Sequence, residues 1–512
     1  MSVSKNSFNK RLVALAVAHI FLVAVLLGRL FVLTVLRPQA PSYPAWPHSA
    51  ARLDAEHMHL SVVNDGRGRI LFRNGQAISD YGGQGMEPHG KIDERAGYWR
   101  FHSDYTQGSL ARLVGQLGLP DRWPDVHLPI AEQGRSGLEF TFDDVLRARQ
   151  PGYMGQLHDA KGHLVAGPEY RLLAIPGSSL RTTLHPEWQQ AAESAMEDSD
   201  ISDGAVVVLD TTHNEVLAFA NRDASHAWSI PAVNDQVPGS VFKLITAAAS
   251  LDSFRFRPQS VFVCHGGLHE PGVRMNCWRV HGRETMTEAL AASCDVAFAE
   301  IGIALGRQAL QDTFTRLHLQ SSQLQEIRGQ PILAEASGAV LFRHSGHDAG
   351  LLANTAIGQE DVRLSPLQGV NLVSTIANGG WYRPVRLLLD AQGPHGKGAV
   401  YGIARGSRAM SGWAAQQIGI AMRQAVISPW GTAHALANTG VELAAKTGTA
   451  ELTTAGLANA WIVGFAPWQR PRFAFVVFVN HQPSARAHNQ AFRAAHSLLS
   501  AYRQIPSLDD IN

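Results

Sequence analysis

The side chains best able to do chemistry lie in three short stretches. The first is Val237-Pro238-Gly239-Ser240-Val241-Phe242-Lys243, which runs into Leu244-Ile245-Thr246-Ala247-Ala248-Ala249. Pro-Gly before a helix-forming run places Ser240 at a helix N-terminus. Ser240 and Lys243, three apart, then share a face of the first turn. A serine hydroxyl is a weak nucleophile until a base takes its proton, and a neutral lysine can be that base. Burial and a second nearby cation keep a lysine neutral. The helix N-terminus favours the negative charge of an alkoxide or a tetrahedral oxyanion. The spacing alone says little, because Ser2-Val3-Ser4-Lys5 has it too and a serine at a helix start is commonly just an N-cap.

The second stretch is Ser293-Cys294-Asp295, after a helix-like run from Met286 to Ala292. A second serine beside the first can relay a proton to a leaving amine. The acid two residues on can fix a substrate backbone. The third stretch is Lys446-Thr447-Gly448-Thr449-Ala450-Glu451, read as an edge strand beside the site. Lys446 can neutralise a substrate carboxylate and depress the pKa of Lys243. Gly448 can let a substrate backbone come close, and the Thr449 N–H can form an oxyanion hole with that of Ser240. Taken singly, Ser293 reads as a helix-end serine and the Lys446 stretch as a surface turn.

Taken together, the order Ser-x-x-Lys, Ser-x-Asp, Lys-Thr-Gly, with gaps of 53 and 153 residues, resembles the serine acyltransferases of the penicillin-binding protein and β-lactamase group. The chain is similar to class B penicillin-binding proteins, the membrane-anchored peptidoglycan D,D-transpeptidases. Asp203 to Asn221 looks like that family's opening hairpin. Cys264-His265-Gly266-Gly267, Cys277-Trp278, His281-Gly282, Ile357-Gly358-Gln359 and Gly431-Thr432-Ala433 also resemble recurrent blocks of the family. Upstream, Arg67-Gly68-Arg69-Ile70, Arg73-Asn74-Gly75 and Gly134-Arg135-Ser136-Gly137-Leu138-Glu139 look like its membrane-proximal pedestal.

The resemblance implies roles. Ser240 is the nucleophile toward the D-Ala–D-Ala bond of a donor stem peptide, Lys243 its base, and Ser293 the proton carrier to the leaving group. Asp295 orients the peptide, and Lys446, Thr447, Gly448 and Thr449 hold its carboxylate and carbonyl. An amine of a neighbouring stem peptide then forms the cross-link, and β-lactams acylate Ser240 as donor mimics. A β-lactam sensor or a D,D-carboxypeptidase would share the acylation chemistry. No cofactor is implied, and the implied partner is a separate membrane glycosyltransferase of the SEDS type, met through anchor and pedestal. Two residues depart from the family's habit: Asp295 stands where asparagine is more usual, and Glu360 where many relatives have glycine.

Elements that position these residues are legible as apolar runs. Ala205 to Leu209 reads as a buried strand, Thr212-His213-Asn214 as a turn, and Glu215 to Phe219 as the returning strand. Ala460 to Phe465 and Phe473 to Val479 are two more strands. Ala491 to Tyr502 reads as a helix with Phe492, Ala495, Leu498, Leu499 and Tyr502 near one face. Strands at both ends with helices between them predict an α+β domain over 181–512. By the resemblance, its antiparallel sheet packs between helices. Residues 37–180 are more polar and irregular, and are expected to form a small β-rich pedestal. Leu12 to Leu36 is an apolar run long enough to cross a bilayer. Lys5, Lys10 and Arg11 before it favour a cytoplasmic tail of residues 1–11 and a catalytic domain on the periplasmic side of the inner membrane.

Composition sets the outer limits. With 44 Lys+Arg against 43 Asp+Glu, the chain lacks the basic excess of a nucleic-acid binder. Hydrophobic residues at 45% and charged residues at 17% exclude an intrinsically disordered chain. Three cysteines, Cys264, Cys277 and Cys294, are too few for a disulfide scaffold, yet outside the cytoplasm any two could pair. Cys264, His265, His269, Cys277 and His281 match no standard zinc spacing, so no metal is expected.

Overall fold

A computed structural model of the chain describes residues 23–27, 58–64, 66–78, 91–93, 98–100, 109–118, 133–150, 152–157, 170–172, 175–223 and 230–505. Within the last span it omits 328–329, 334–337, 343–347, 394–397, 403–404 and 453–455. The expected membrane segment at 12–36 lies outside the described residues except for 23–27, which are helical. Much of 37–180 lies outside them as well. Among the described residues no helix is long and apolar enough to cross a membrane. The chain divides into two compact units, Met1–His59 with Gly155–Glu169, and Leu60–Met154 with Tyr170–Asn512. All the residues of the three motifs lie in the second.

In chain order, that unit contains strands β1 (Ile70–Leu71) and β2 (Ser179–Thr182), then helix α1 (Pro186–Asp198). Strands β3 (Asp203–Asp210) and β4 (Val216–Asp223) and helix α2 (Lys243–Asp252) follow. Next come strands β5 (Val261–Cys264) and β6 (Gly282–Thr285), and helices α3 (Met286–Ala292), α4 (Asp295–Arg316), α5 (Ala349–Ala356) and α6 (Pro366–Ala377). Strand β7 (Leu388–Gln392) and helix α7 (Gly412–Ile427) precede strands β8 (Ala444–Glu451), β9 (Leu457–Ala466) and β10 (Phe473–Pro483), and helix α8 (Ser484–Tyr502) follows them.

Five of the strands form one sheet, in the order β4-β3-β10-β9-β8, with every neighbour antiparallel. Its strands are apolar on both faces because both are covered. Val207, Leu209, Trp461, Val463, Val476 and Phe478 pack into one core with α2 and α6, while Val206, Val208, Ile462, Phe475, Val477 and Val479 pack into another with α1 and α8. The alternation is the period-2 geometry of a strand. Burying each Val or Phe stabilises the sheet by roughly 1.5–3 kcal/mol. The α+β expectation holds, and β8 lies at the sheet edge as predicted. Helix α8 starts at Ser484, well before Ala491. The signal was weak there because that first stretch packs through the small Ala487, with polar neighbours around it.

Within this unit, residues upstream of β2 are tied to the same body. β1 pairs in parallel with β2, which pairs with β7. Arg67 Nε donates to Glu139 Oε2 at 2.7 Å and its Nη1 to Asp143 Oδ1 at 2.8 Å, joining two of the pedestal-like motifs. Arg73 and Arg386 both ion-pair with the buried Glu215 at the start of the returning strand.

Candidate active site

Ser240 lies in a 3₁₀ turn, Gly239–Phe242, that leads directly into α2, as Pro238-Gly239 and the run after it predict. The turn is clamped by two other chain segments. Gly239 (φ +53) donates its N–H to Gly358 O at 2.9 Å. A Cβ on Gly239 would come within 2.4 Å of Thr449 O, and one on Gly358 (φ +83) within 2.0 Å of Gly239 O. Only glycine fits these left-handed, crowded positions. Gln359 Nε2 donates to Thr449 O at 3.1 Å, locking the Gly358 loop onto β8. Gly358 and Gln359 were legible as a recurrent block, but their role in seating the nucleophile was not.

Gly448 is packed against the Ser240 turn. The space of its missing side chain is filled by Pro238 O and Val241 Cγ2, which a Cβ would meet at 2.8 and 2.9 Å. The glycine therefore lets β8 close on the Ser240 turn. Thr447 is buried and Thr449 half-buried on the same strand.

Ser240 is half-buried, and its Oγ makes no hydrogen bond among the described residues. Lys243 begins α2 and is fully buried. Its Nζ donates to Ser293 O at 2.8 Å, Ser293 Oγ at 3.3 Å and Asp295 Oδ1 at 2.7 Å. Ser293 occupies the left-handed position (φ 57, ψ 41) that ends α3, and Asp295 opens α4. This sharp junction turns both side chains toward the lysines. Lys446, fully buried on β8, donates from Nζ to Ser293 Oγ at 2.8 Å and to Thr447 O at 2.7 Å. The three motifs therefore meet, with two buried lysines from different elements on one serine hydroxyl. Asp295 was expected to orient a peptide, and here it pairs with Lys243. Burial, then the charge of Lys243, holds Lys446 well below the usual lysine range, with Asp295 opposing.

A second cluster adjoins the first. β5 ends at Cys264, paired opposite Gly282 in β6. Between them the chain returns through Cys277, whose N–H donates to Gly266 O at 2.9 Å. Cys294 is the N-cap of α4. The donor atoms of Cys264, Cys277, His281 and Cys294 all lie within 4.8 Å of one another. His265 and His269 are exposed and are not part of the group. The three thiols are free, so none of the possible pairings is made. A hydrogen bond from the Cys294 thiol lowers Cys277 to about 5. The same bond and burial raise Cys294.

Residues 204–499 match the family model described as "Penicillin binding protein transpeptidase domain". Peptidoglycan D,D-transpeptidase PbpA of Mycobacterium tuberculosis is 28% identical over 403 residues, spanning 70% of this chain and 78% of the relative. Stage V sporulation protein D of Bacillus subtilis is 28% identical over 390 residues, spanning 69% of this chain and 57% of that one. Among solved structures, penicillin-binding protein 3 of M. tuberculosis aligns with a TM-score of 0.67 at 21% identity, over 87% of this chain and 97% of that one, a likeness of fold. Sequence match, fold and the convergence of Ser240, Lys243, Ser293 and Lys446 agree, and the chain belongs to the penicillin-binding protein transpeptidase family, among its class B D,D-transpeptidases.

Proposed function

We propose that the protein cross-links peptidoglycan stem peptides through an acyl-enzyme on Ser240 and is inhibited by β-lactams acting as donor mimics. The observation that carries this is the meeting of Lys243 Nζ and Lys446 Nζ on Ser293 Oγ, at 3.3 and 2.8 Å, next to the Ser240 turn. The cluster holds one carboxylate, Asp295, and two lysines. One ammonium balances that carboxylate, and a second would stand uncompensated in a buried site. One lysine is thus neutral, and Ser293 Oγ, touching both, lets the proton pass between them.

Lys243 takes the Ser240 proton as Oγ attacks the D-Ala–D-Ala carbonyl. The backbone N–H groups of Ser240 and Thr449 receive the oxyanion. Ser293 then delivers a proton to the departing D-Ala amine, with Lys446 and Thr447 facing its carboxylate. An amine of a second stem peptide attacks the ester and regenerates Ser240. We place the anchor at Leu12 to Leu36, the pedestal at 37–180 and the catalytic domain in the periplasm. The implied partner is a SEDS-type membrane glycosyltransferase that supplies the glycan strands. The direct test incubates the purified protein with a D-Ala–D-Ala donor peptide and an amine acceptor. Free D-Ala with a matching amide product, both lost in Ser240→Ala, supports transfer. D-Ala release without amide product means a carboxypeptidase.

A further inference from the structure

We propose that Cys264, Cys277, His281 and Cys294 form a tetrahedral zinc site that pins the junction carrying Ser293 and Asp295. This departs from the reading of the sequence alone, which found no zinc spacing and expected no metal. The difference lies in pairing. Spacing along the chain groups His265 and His269 with the cysteines, whereas the β5–β6 register sets Cys264 opposite Gly282, beside His281, and the α3–α4 junction adds Cys294.

Three observations point to a metal. The first is donor type and number: three sulfurs and one imidazole are a common structural zinc set. The second is geometry. Zinc bonds of about 2.3 Å to sulfur and about 2.0 Å to nitrogen give tetrahedral edges of roughly 3.5–3.8 Å. Cys277 Sγ and His281 Nδ1 are 3.5 Å apart, and all four donors fall within 4.8 Å. Small side-chain shifts close the rest. The third is the surroundings. Asp295 N–H donates to Cys277 Sγ at 3.2 Å and Ala297 N–H to Cys294 Sγ at 3.5 Å, both from the first turn of α4. Such amides, at the positive end of a helix, stabilise charge on a sulfur and orient it as outer partners do in metal sites. By contrast, His281 Nε2 and Glu284 Oε1 are buried without hydrogen-bond partners among the described residues.

The site would act on structure. Cys294 stands between Ser293, which both lysines touch, and Asp295, which pairs with Lys243. A metal holding Cys294 and Cys277 would fix the left-handed Ser293 and the start of α4 together. The metal claim stands apart from the proposed reaction, since its readout is metal and not turnover.

The test uses the full chain, purified without chelator, and zinc chloride and cobalt(II) chloride as probes. The expected result is one zinc per chain by elemental analysis. Cobalt replacement should give a thiolate-to-cobalt charge-transfer band and tetrahedral visible bands. Cys264→Ser and His281→Ala should each weaken zinc binding by at least about tenfold. Removing zinc from the wild type should speed amide exchange at residues 293–297. A wild-type chain that stays metal-free in zinc would overturn the site, and needs no variant to fold. So would zinc binding unchanged in Cys264→Ser and His281→Ala, or a disulfide among the three cysteines of the purified protein. Exchange at 293–297 that ignores zinc would overturn the pinning.

Discussion

Lys446 Nζ stands 2.8 Å from Ser293 Oγ, although 153 residues separate them in the chain. The contact joins the edge strand of the sheet to the α3–α4 junction. Lys243 reaches the same hydroxyl from a third element. Burying Lys446 beside Lys243 and one serine is costly unless the pair is used, because burial and the neighbouring charge both disfavour its ammonium.

Lys446→Met should cut the rate of penicillin acylation by about 10²–10³-fold, the usual loss for one preorganised polar group in such a site. Its stability should respond to pH with a definite sign. Lys446 in the folded protein lies well below the ordinary value of 10.5, so the unfolded chain holds its proton more readily. The wild type is therefore penalised as pH falls below 10.5, and the penalty is complete once pH drops under the folded value. The melting temperature of Lys446→Met relative to wild type should rise as pH is lowered from about 10 toward neutrality. A pH-independent difference would contradict this.

Asp295→Asn restores the residue more usual in the family and removes the carboxylate paired with Lys243. That carboxylate favours the charged form of Lys446. Without it the lysine pair gives up a proton at lower pH, and a base must be neutral to act. The acid limb of the acylation pH profile should move to lower pH, with labelling on that limb several-fold faster than wild type. A limb that stays in place or moves to higher pH would count against the pairing.

Gly358→Ala puts a Cβ 2.0 Å from Gly239 O at φ +83. The expected cost is about 2–4 kcal/mol of stability from strain and overpacking. Because the displaced atom belongs to the Ser240 turn, acylation should fall by more than tenfold at temperatures where the variant is folded. Stopped-flow labelling beside circular-dichroism melts separates the two effects.

Glu215→Ala leaves Arg73 and Arg386 facing a buried site without their shared carboxylate. Loss of a buried ion-pair partner destabilises by about 3 kcal/mol. Urea unfolding would measure this, and a change under about 0.5 kcal/mol would show that the pair is not used.

Much of the frame was legible because it is written in apolar runs. Val206-Val207-Val208 and Phe473 to Val479 read as buried strands, and they are. The start of α8 was not legible, since Ala487 packs without announcing itself among polar neighbours. Ser240, Lys243, Ser293 and Lys446 were legible as spaced types, and the fold brings them together. What the chain does not reveal locally is which distant atoms touch. Gly358 against Gly239, Asp295 on Lys243, and Cys294 beside Cys277 and His281 are set by the packing of α2, α4, β6 and β8. No residue spacing encodes them.

The proposed reaction makes Ser240 the acylated nucleophile. Intact mass measurement of the purified protein after benzylpenicillin, followed by peptide mapping, tests it most directly. One adduct per chain is expected, on the peptide containing Ser240, absent from Ser240→Ala. An adduct on any other residue, or a folded wild-type protein that takes up none, would contradict it.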